Sequence, residues 1–255
     1  CRCSPHPPFF PSSQPPQNLH TMNRRDFIKN TAATTASVVT VANGVTLTTY
    51  ASANDKPVTN EKRWGMLIDT NKLTETDIDG MVVACKEEHG WGNEPNSNEA
   101  QKGNWIRKVK VQDKATGRIS ALPLMCQHCE EPPCVDVCPT NASMKREDGI
   151  VLVDRHRCIG CRYCMMACPY DARSFVHETL TDQKEDMPRG KGCVETCTMC
   201  VHRVDKGEKP ACLTSISSDA IVFGDLYDPS SEINKKLKAV QSRQIRADLN
   251  LNTGV

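Results

Sequence analysis

Four cysteines and a proline at fixed intervals constrain this chain more than any other feature. Cys158, Cys161, Cys164 and Cys168 follow the pattern C-x2-C-x2-C-x3-C, and Pro169 comes directly after the last of them. Three thiolates this close in a tight loop can reach three corners of one 4Fe-4S cubane, while the fourth cysteine faces a neighbouring cubane. The spacing therefore predicts one cubane at this loop and a second one beside it.

A second run of cysteines follows the same plan, with two extra residues between its second and third members. The run consists of Cys126, Cys129, Cys134 and Cys138, with Pro139 after it. Exchanging the fourth cysteines of the two runs produces two complete sets of four thiolates. The first set, site 2, is Cys126, Cys129, Cys134 and Cys168. The second set, site 3, is Cys138, Cys158, Cys161 and Cys164.

The remaining cysteines form an incomplete pair of motifs. The late motif supplies Cys197, Cys200 and Cys212, and Ile216 stands where its fourth cysteine would follow. The early motif keeps only Cys85, and its three missing positions hold Glu75, Ile78 and Met81. If these motifs also exchange ligands, all four vacancies fall on one site and all four surviving cysteines on another. The surviving set, site 1, is Cys85, Cys197, Cys200 and Cys212. The prediction is three 4Fe-4S clusters held by twelve cysteines, beside one vacant cluster site.

Two other uses of these cysteines are structural zinc and a disulfide framework. Zinc sites do not require a run that ends in cysteine and proline, and the close spacing throughout disfavours disulfides. Cys193 is left over, and we interpret it as incidental. His128 and His156 stand near predicted ligands, where hydrogen bonding or exposure is favoured over ligation. Four basic residues either offset cluster charge and raise cluster potentials or form a solvated face; they are Arg155, Arg157, Arg162 and Lys191.

The first part of the sequence is predicted to be processed. Residues 1–21 are rich in Pro, Ser and Gln, so we interpret them as a non-native extension upstream of a natural start at Met22. Residues 22–53 resemble a cleavable twin-arginine signal, with Arg24 and Arg25 before a mildly apolar stretch and Ala51-Ser52-Ala53 at its end. A membrane anchor is the alternative, but this stretch is weakly hydrophobic. We expect a periplasmic mature chain without a transmembrane helix of its own.

The mature chain, residues 54–255, is predicted to be an α+β protein. Alternating and helical patterns predict strands at 63–69, 105–111, 119–125 and 150–153 and helices at 77–89 and 231–243. Together with the cysteines they indicate two ferredoxin-like two-cluster modules, one with a vacant site, plus a β-hairpin insertion and a C-terminal helix. Module A is predicted to cover 64–90 and 190–224, module B 119–180, and a tail 225–255. Residues 250–255 match no predicted element.

These motifs carry a family resemblance. The twin-arginine signal, Trp64-Gly65-Met66-Leu67-Ile68-Asp69 and the cysteine runs resemble the four-cluster ferredoxin subunits of the dimethyl sulfoxide reductase superfamily. Within that group the segments 145–151, 156–165 and 223–226 are similar to the periplasmic iron-sulfur subunits of Dsr membrane complexes, which accompany dissimilatory sulfite reductase. The resemblance implies electron transfer in sulfur metabolism. It also implies an NrfD-like, quinone-interacting membrane subunit and a periplasmic multihaem cytochrome c as partners.

Two functions remain open, and both are electron transfer without a catalytic site on this chain. The first is transfer between the quinone-interacting membrane subunit and the cytochrome c. The second is service to a molybdopterin oxidoreductase of the tetrathionate, polysulfide or nitrite type. In such relatives the cluster that is vacant here lies next to the catalytic subunit, so the resemblance favours a complex without one. The net charge of +1 provides no basic field for nucleic acid. The chain has no Ser/His/Asp set or phosphate-binding loop that competes with this interpretation.

Overall fold

The computed structural model describes residues 58–93, 98, 101–112, 114, 116–117, 119–180, 183–184, 188–216 and 219–255. All of them belong to one compact unit, Ala53–Val255. The predictions for residues 1–21 and 22–53 lie outside the described residues. Among the helices described, none is long and apolar enough to cross a membrane.

The described residues form short helices and small antiparallel sheets, which confirms the α+β class. The strands are β1 Trp64–Ile68, β2 Ile106–Gln112, β3 Ile119–Met125, β4 Ser143–Lys145, β5 Val151–Val153, β6 Arg173–Phe175, β7 Val194–Thr196 and β8 Ile221–Asp225. The helices are α1 Glu75–His89, α2 Pro133–Asp136, α3 Tyr163–Ala167, α4 Val201–Val204, α5 Ala211–Thr214 and α6 Glu232–Ala239. A 3-10 turn, Ala247–Leu249, follows α6.

Each sheet consists of two antiparallel strands, and two of the sheets join distant parts of the chain. Strand β1 pairs with β8, where the rings of Trp64 and Phe223 stack 5.1 Å apart. Strand β6 pairs with β7, so a strand of predicted module B pairs with a strand of predicted module A. The sheet pairing therefore crosses the proposed module boundary, and the division into two modules stays a prediction.

Helix α1 begins with a capping box. The Asp77 amide donates to the Thr74 hydroxyl at 3.1 Å, and the Asp77 carboxylate accepts from the Thr74 amide at 3.0 Å. The helix therefore starts at Glu75, two residues before its predicted start. It ends at Gly90, whose φ of 67° lies in the left-handed region. Its buried side chains recur at helical spacing; they are Ile78, Met81, Cys85 and His89.

The predicted hairpin is confirmed over its strands. Strand β2 pairs with β3 from Ile106 opposite Met125 to Gln112 opposite Ile119. Ile106 and Met125 are buried, and Cys126 follows Met125 directly at the end of β3. The hairpin thus delivers the first cysteine of site 2 from a packed strand.

The C-terminal part of the chain differs from its prediction. Helix α6 ends at Ala239, and Val240 has extended backbone, so the predicted continuation to 243 is wrong. Residues 250–255 form no helix or strand, yet Gly254 lies between two distant segments. Its amide donates to the Gln127 carbonyl at 2.9 Å, and its carbonyl accepts from the Met66 amide at 2.8 Å. A Cβ at Gly254 would lie 3.1 Å from the Trp64 carbonyl oxygen, which favours glycine there.

Candidate iron-sulfur sites

The four predicted ligands of site 2 line one cavity. Cys126 and Cys129 follow β3, Cys134 lies in α2 and Cys168 ends α3. The rest of the wall is mainly apolar; it includes Pro132, Pro133, Val151, Pro169, Tyr170 and Ala172. Burial raises the pKa of Cys129 to about 12 and that of Cys134 to about 11. Burial thus favours the protonated thiol at both positions.

Site 1 brings together cysteines that are far apart in the chain. Cys85 projects from α1, and the other three predicted ligands come from the segment between β7 and α5. All four side chains are buried. Burial raises the pKa of Cys197 well above its usual range, and the thiols of Cys85, Cys212 and Cys200 raise it further. These four sulfurs are therefore close enough to act on one another.

Hydrogen-bond donors surround the sulfurs of site 1. The Trp91 indole N–H donates to the Cys85 sulfur at 3.2 Å, and the Ala211 amide donates to the Cys200 sulfur at 3.4 Å. The Nε2 atom of His89 lies 3.2 Å from the Cys200 sulfur. Hydrogen bonds to cluster sulfurs stabilise the reduced, more negative state and thereby raise its potential. Neither Trp91 nor His89 was predicted from the sequence, although each stands within six residues of Cys85.

Burial lowers the pKa of His89 to about 3, so its ring is neutral at physiological pH. The Nε2 atom of the neighbouring His202 donates to the Glu88 carboxylate at 2.8 Å, and its ring meets His89 edge-on. The Trp105 ring covers His89 at 4.6 Å. This packing holds the imidazole against Cys200.

Site 3 lies closer to the surface than the other two sites. Cys164 is buried, Cys138 and Cys158 are half-buried, and Cys161 is exposed. Gly160 has a φ of 71°, and a Cβ there would collide with the Gly192 carbonyl oxygen. The loop can therefore pass this close to residue 192 only with glycine at position 160.

Amide groups approach the sulfurs of site 3. The Ser143 amide donates to the Cys138 sulfur at 3.3 Å, and the Val194 amide donates to Cys158 at 3.5 Å. Burial raises the pKa of Cys138, but the amides of Ser143 and Thr140 outweigh it, so the net pKa is lowered. Such donors favour a thiolate at this position.

Cys193, the unassigned cysteine, lies beside site 3. Its thiol donates to the Arg155 carbonyl at 3.3 Å. Burial raises its pKa, and the neighbouring Cys158 raises it further. Cys193 therefore adjoins a cysteine of site 3, although the sequence places it close to Cys197.

The cysteines between residues 85 and 212 are all free thiols in the described structure, so the disulfide alternative is wrong for them. Within the same described residues, no group of three or more His, Cys, Asp or Glu side chains is arranged to hold a single metal ion. A cubane holds four thiolates around a larger core than one ion does. The donor set of free, converging thiols with amide N–H groups beside them fits 4Fe-4S clusters.

The basic residues predicted near the sites have other contacts. Arg155 and Arg157 donate to the carbonyls of Pro188 and Thr140, and the Arg162 guanidinium lies 3.8 Å above the Phe175 ring. The arginine that reaches a site sulfur is Arg173, which was not predicted from the sequence. It could have been predicted from its position, as a charged residue in the short segment that follows the cysteine-proline turn.

The two histidines considered as ligands differ in their surroundings. His156 is exposed, as predicted. His128 is buried, and its Nδ1 atom accepts a hydrogen bond from the Val151 amide at 3.0 Å. Burial, reinforced by Arg173, lowers the pKa of His128 to about 3. His128 is thus a neutral acceptor that holds β5 against the segment after β3.

The positions of the predicted vacant site are occupied by ordinary packing. Ile78 and Met81 are completely buried in the core, where α1 packs against α5. Glu75 is exposed and forms an ion pair with Lys110 at 2.9 Å. Ile216 is partly buried against the same core. Apolar packing therefore replaces thiols at three of these four positions.

Comparisons with known proteins agree with this chemistry. Residues 118–226 match a family model described as a 4Fe-4S dicluster domain. The chain is 39% identical over 258 residues to the Hdr-like menaquinol oxidoreductase iron-sulfur subunit 1 of Archaeoglobus fulgidus, covering 89% of this chain and 94% of that protein. It is 39% identical to a subunit of the tetrathionate reductase of Salmonella typhimurium, over 67% of this chain and 61% of that protein. It is 36% identical to a component of the polysulfide reductase of Wolinella succinogenes, over 69% of this chain and 83% of that protein.

Proposed function

This protein belongs to the family of iron-sulfur subunits with a 4Fe-4S dicluster ferredoxin domain, and we propose that it conducts single electrons through three such clusters at sites 1, 2 and 3. The observation that carries this proposal is the arrangement of the three cysteine sets. Cysteines of different sets act on one another or share Arg173, and the exposure of the cysteines rises from site 1 to site 3. When bound, each cluster supplies a centre that accepts and returns one electron.

Two interactions support this order of the sites. The Cys126 thiol of site 2 acts on Cys197 of site 1 and helps to raise its pKa. Arg173 donates to Cys134 of site 2 and also interacts with Cys164 of site 3. Both interactions involve site 2, which supports a path from site 1 through site 2 to site 3.

The exposed end of this path is at site 3. Cys161 is exposed, and large apolar side chains beside it are exposed as well; they are Ile159, Tyr163 and Met166. Residues 155–170 contain three arginines and no carboxylate. We propose that a redox partner docks here through a small, transient interface with an acidic rim, as electron-transfer complexes do.

The partners follow from the relatives and the resemblance together. The Archaeoglobus relative is named a menaquinol oxidoreductase subunit, which supports a quinone-interacting membrane partner. We propose the NrfD-like type for that partner and a periplasmic multihaem cytochrome c as the second, as in Dsr complexes. The second candidate is service to a molybdopterin enzyme, which the tetrathionate and polysulfide reductase relatives favour. The apolar packing of Ile78 and Met81 favours the first candidate.

Anaerobic purification of the protein from its native membranes tests this function. We expect a brown protein with labile sulfide that copurifies with an integral membrane subunit and a c-type haem protein. Reduction of the brown protein by a menaquinol analogue in the complex, but not in isolation, would support the assignment. A large pterin-containing protein in the preparation would establish the second candidate instead. A colourless, zinc-containing protein would exclude both.

Periplasmic location is a separate proposal that depends on residues 22–53. We expect that replacing Arg24 and Arg25 by lysine leaves the protein in the cytoplasm with its signal attached, because the twin-arginine receptor reads the guanidinium pair. Cell fractionation and the mass of the isolated protein measure this outcome. Normal delivery of the Lys-Lys variant would refute the export route.

A further inference from the structure

Arg173 is a buried cation placed between two of the cysteine sets. Only 4% of its surface is exposed. Its guanidinium donates to the Cys134 sulfur of site 2 at 3.0 Å and to the Ser143 hydroxyl at 2.8 Å. The same group interacts with the Cys164 sulfur of site 3. Ser143 also donates its amide to Cys138 of site 3, so Arg173 is linked to a sulfur of site 2 directly and to site 3 through Ser143.

Among the described residues, no ion pair with a carboxylate accounts for the burial of this guanidinium. The largest charge interactions that raise its pKa come from the sulfurs of Cys134, Cys126 and Cys164. Its Nη1 atom is buried without a hydrogen-bond partner among the described residues. Arg189, the other buried arginine of the described residues, differs because it pairs with Glu195 at 2.8 Å. A buried, unpaired cation is costly unless a negative group lies beside it.

We propose that Arg173 is the shared counter-charge of sites 2 and 3 and raises the reduction potentials of both clusters. This inference rests on the proposed cluster sites. A cluster becomes more negative when it is reduced, so a fixed cation and an N–H donor at its thiolates favour the reduced state. Because the cation is fixed, it favours the reduced state of each cluster separately, so one side chain raises two potentials in the same direction.

The test is an anaerobic redox titration of the full-length protein, followed by electron paramagnetic resonance. We expect Arg173→Met to lower the potentials of two clusters together and to leave the third, at site 1, unchanged. Arg173→Lys keeps the charge but loses the planar pair of donors, so its potentials should fall between those of Arg173→Met and the natural protein. Ser143→Ala keeps the backbone amide that faces Cys138 and removes only the hydroxyl that accepts a hydrogen bond from the guanidinium. It should shift the same two potentials by a smaller amount than Arg173→Met.

Arg157→Gln is the control for loss of an arginine charge, because Arg157 is exposed and donates to the Thr140 carbonyl instead of a sulfur. Its potentials should equal those of the natural protein. The inference is overturned if Arg173→Met shifts one cluster alone, shifts all three equally or shifts none. If Arg173→Met does not assemble, unchanged potentials in both Arg173→Lys and Ser143→Ala overturn it equally. A natural protein without iron would refute the proposed clusters, which is a different failure and is read from the iron content first.

Discussion

Replacing Cys85 by alanine should remove the cluster of site 1 and leave the other two intact. The natural protein is expected to contain about twelve irons and twelve sulfides, four of each per cluster. The variant should retain between about eight and eleven irons, depending on whether site 1 empties or keeps a three-iron form. The physical reason is that Cys197, Cys200 and Cys212 supply only three thiolates, and the fourth comes from α1, more than a hundred residues earlier.

Iron and sulfide assays and electron paramagnetic resonance measure this outcome. Cys193→Ala is the matched control, because Cys193 is also buried but adjoins Cys158 of site 3. It should retain about twelve irons and an unchanged site 1 signal. Loss of a cluster in Cys193→Ala with three intact signals in Cys85→Ala would show that the ligand exchange is wrong. A natural protein with about sixteen irons would refute the vacant site.

Anaerobic removal of iron should abolish the cooperative thermal unfolding of this protein. Seven of the predicted ligands belong to its main hydrophobic core; they are Cys85, Cys126, Cys129, Cys134, Cys164, Cys197 and Cys212. A domain of this size has only about 5–15 kcal/mol of net stability, and structural metal sites contribute free energies of the same order. Without clusters, the core cysteines lose the groups that join them, and Arg173 loses its counter-charge. The sheets contain only two strands each and cannot compensate.

Calorimetry and near-ultraviolet circular dichroism of the loaded and iron-free protein measure this effect. The loaded protein should unfold in one cooperative transition, and the iron-free protein should show none at any temperature. Reloading with iron and sulfide should restore the transition, which separates cluster loss from irreversible damage. An iron-free protein with a transition within a few degrees of the loaded one would show that the fold does not depend on the clusters.

The local cysteine spacing predicted that the first three cysteines of a run lie close together. Residues three to five apart in a loop cannot separate far, so Cys126, Cys129 and Cys134 had to lie together, and the structure places them around one cavity with Cys168. The hairpin and α1 were also predictable, because alternation and the Thr74–Asp77 capping box are short-range signals. The prediction that Cys85 joins the late motif followed from the number of thiolates, because that motif supplies three and a cubane needs four.

The surroundings of those thiols were decided by tertiary structure alone. Arg173, Trp91 and His89 reach sulfurs only because β6, α1 and the following loop pack against the cysteine segments. Gly254 likewise links Met66 to Gln127 across the fold. Hydrogen bonds between residues far apart in sequence depend on how whole elements pack, which no local pattern encodes. The sequence by itself determined which groups could bind iron, and the tertiary packing decided which charges and donors act on them.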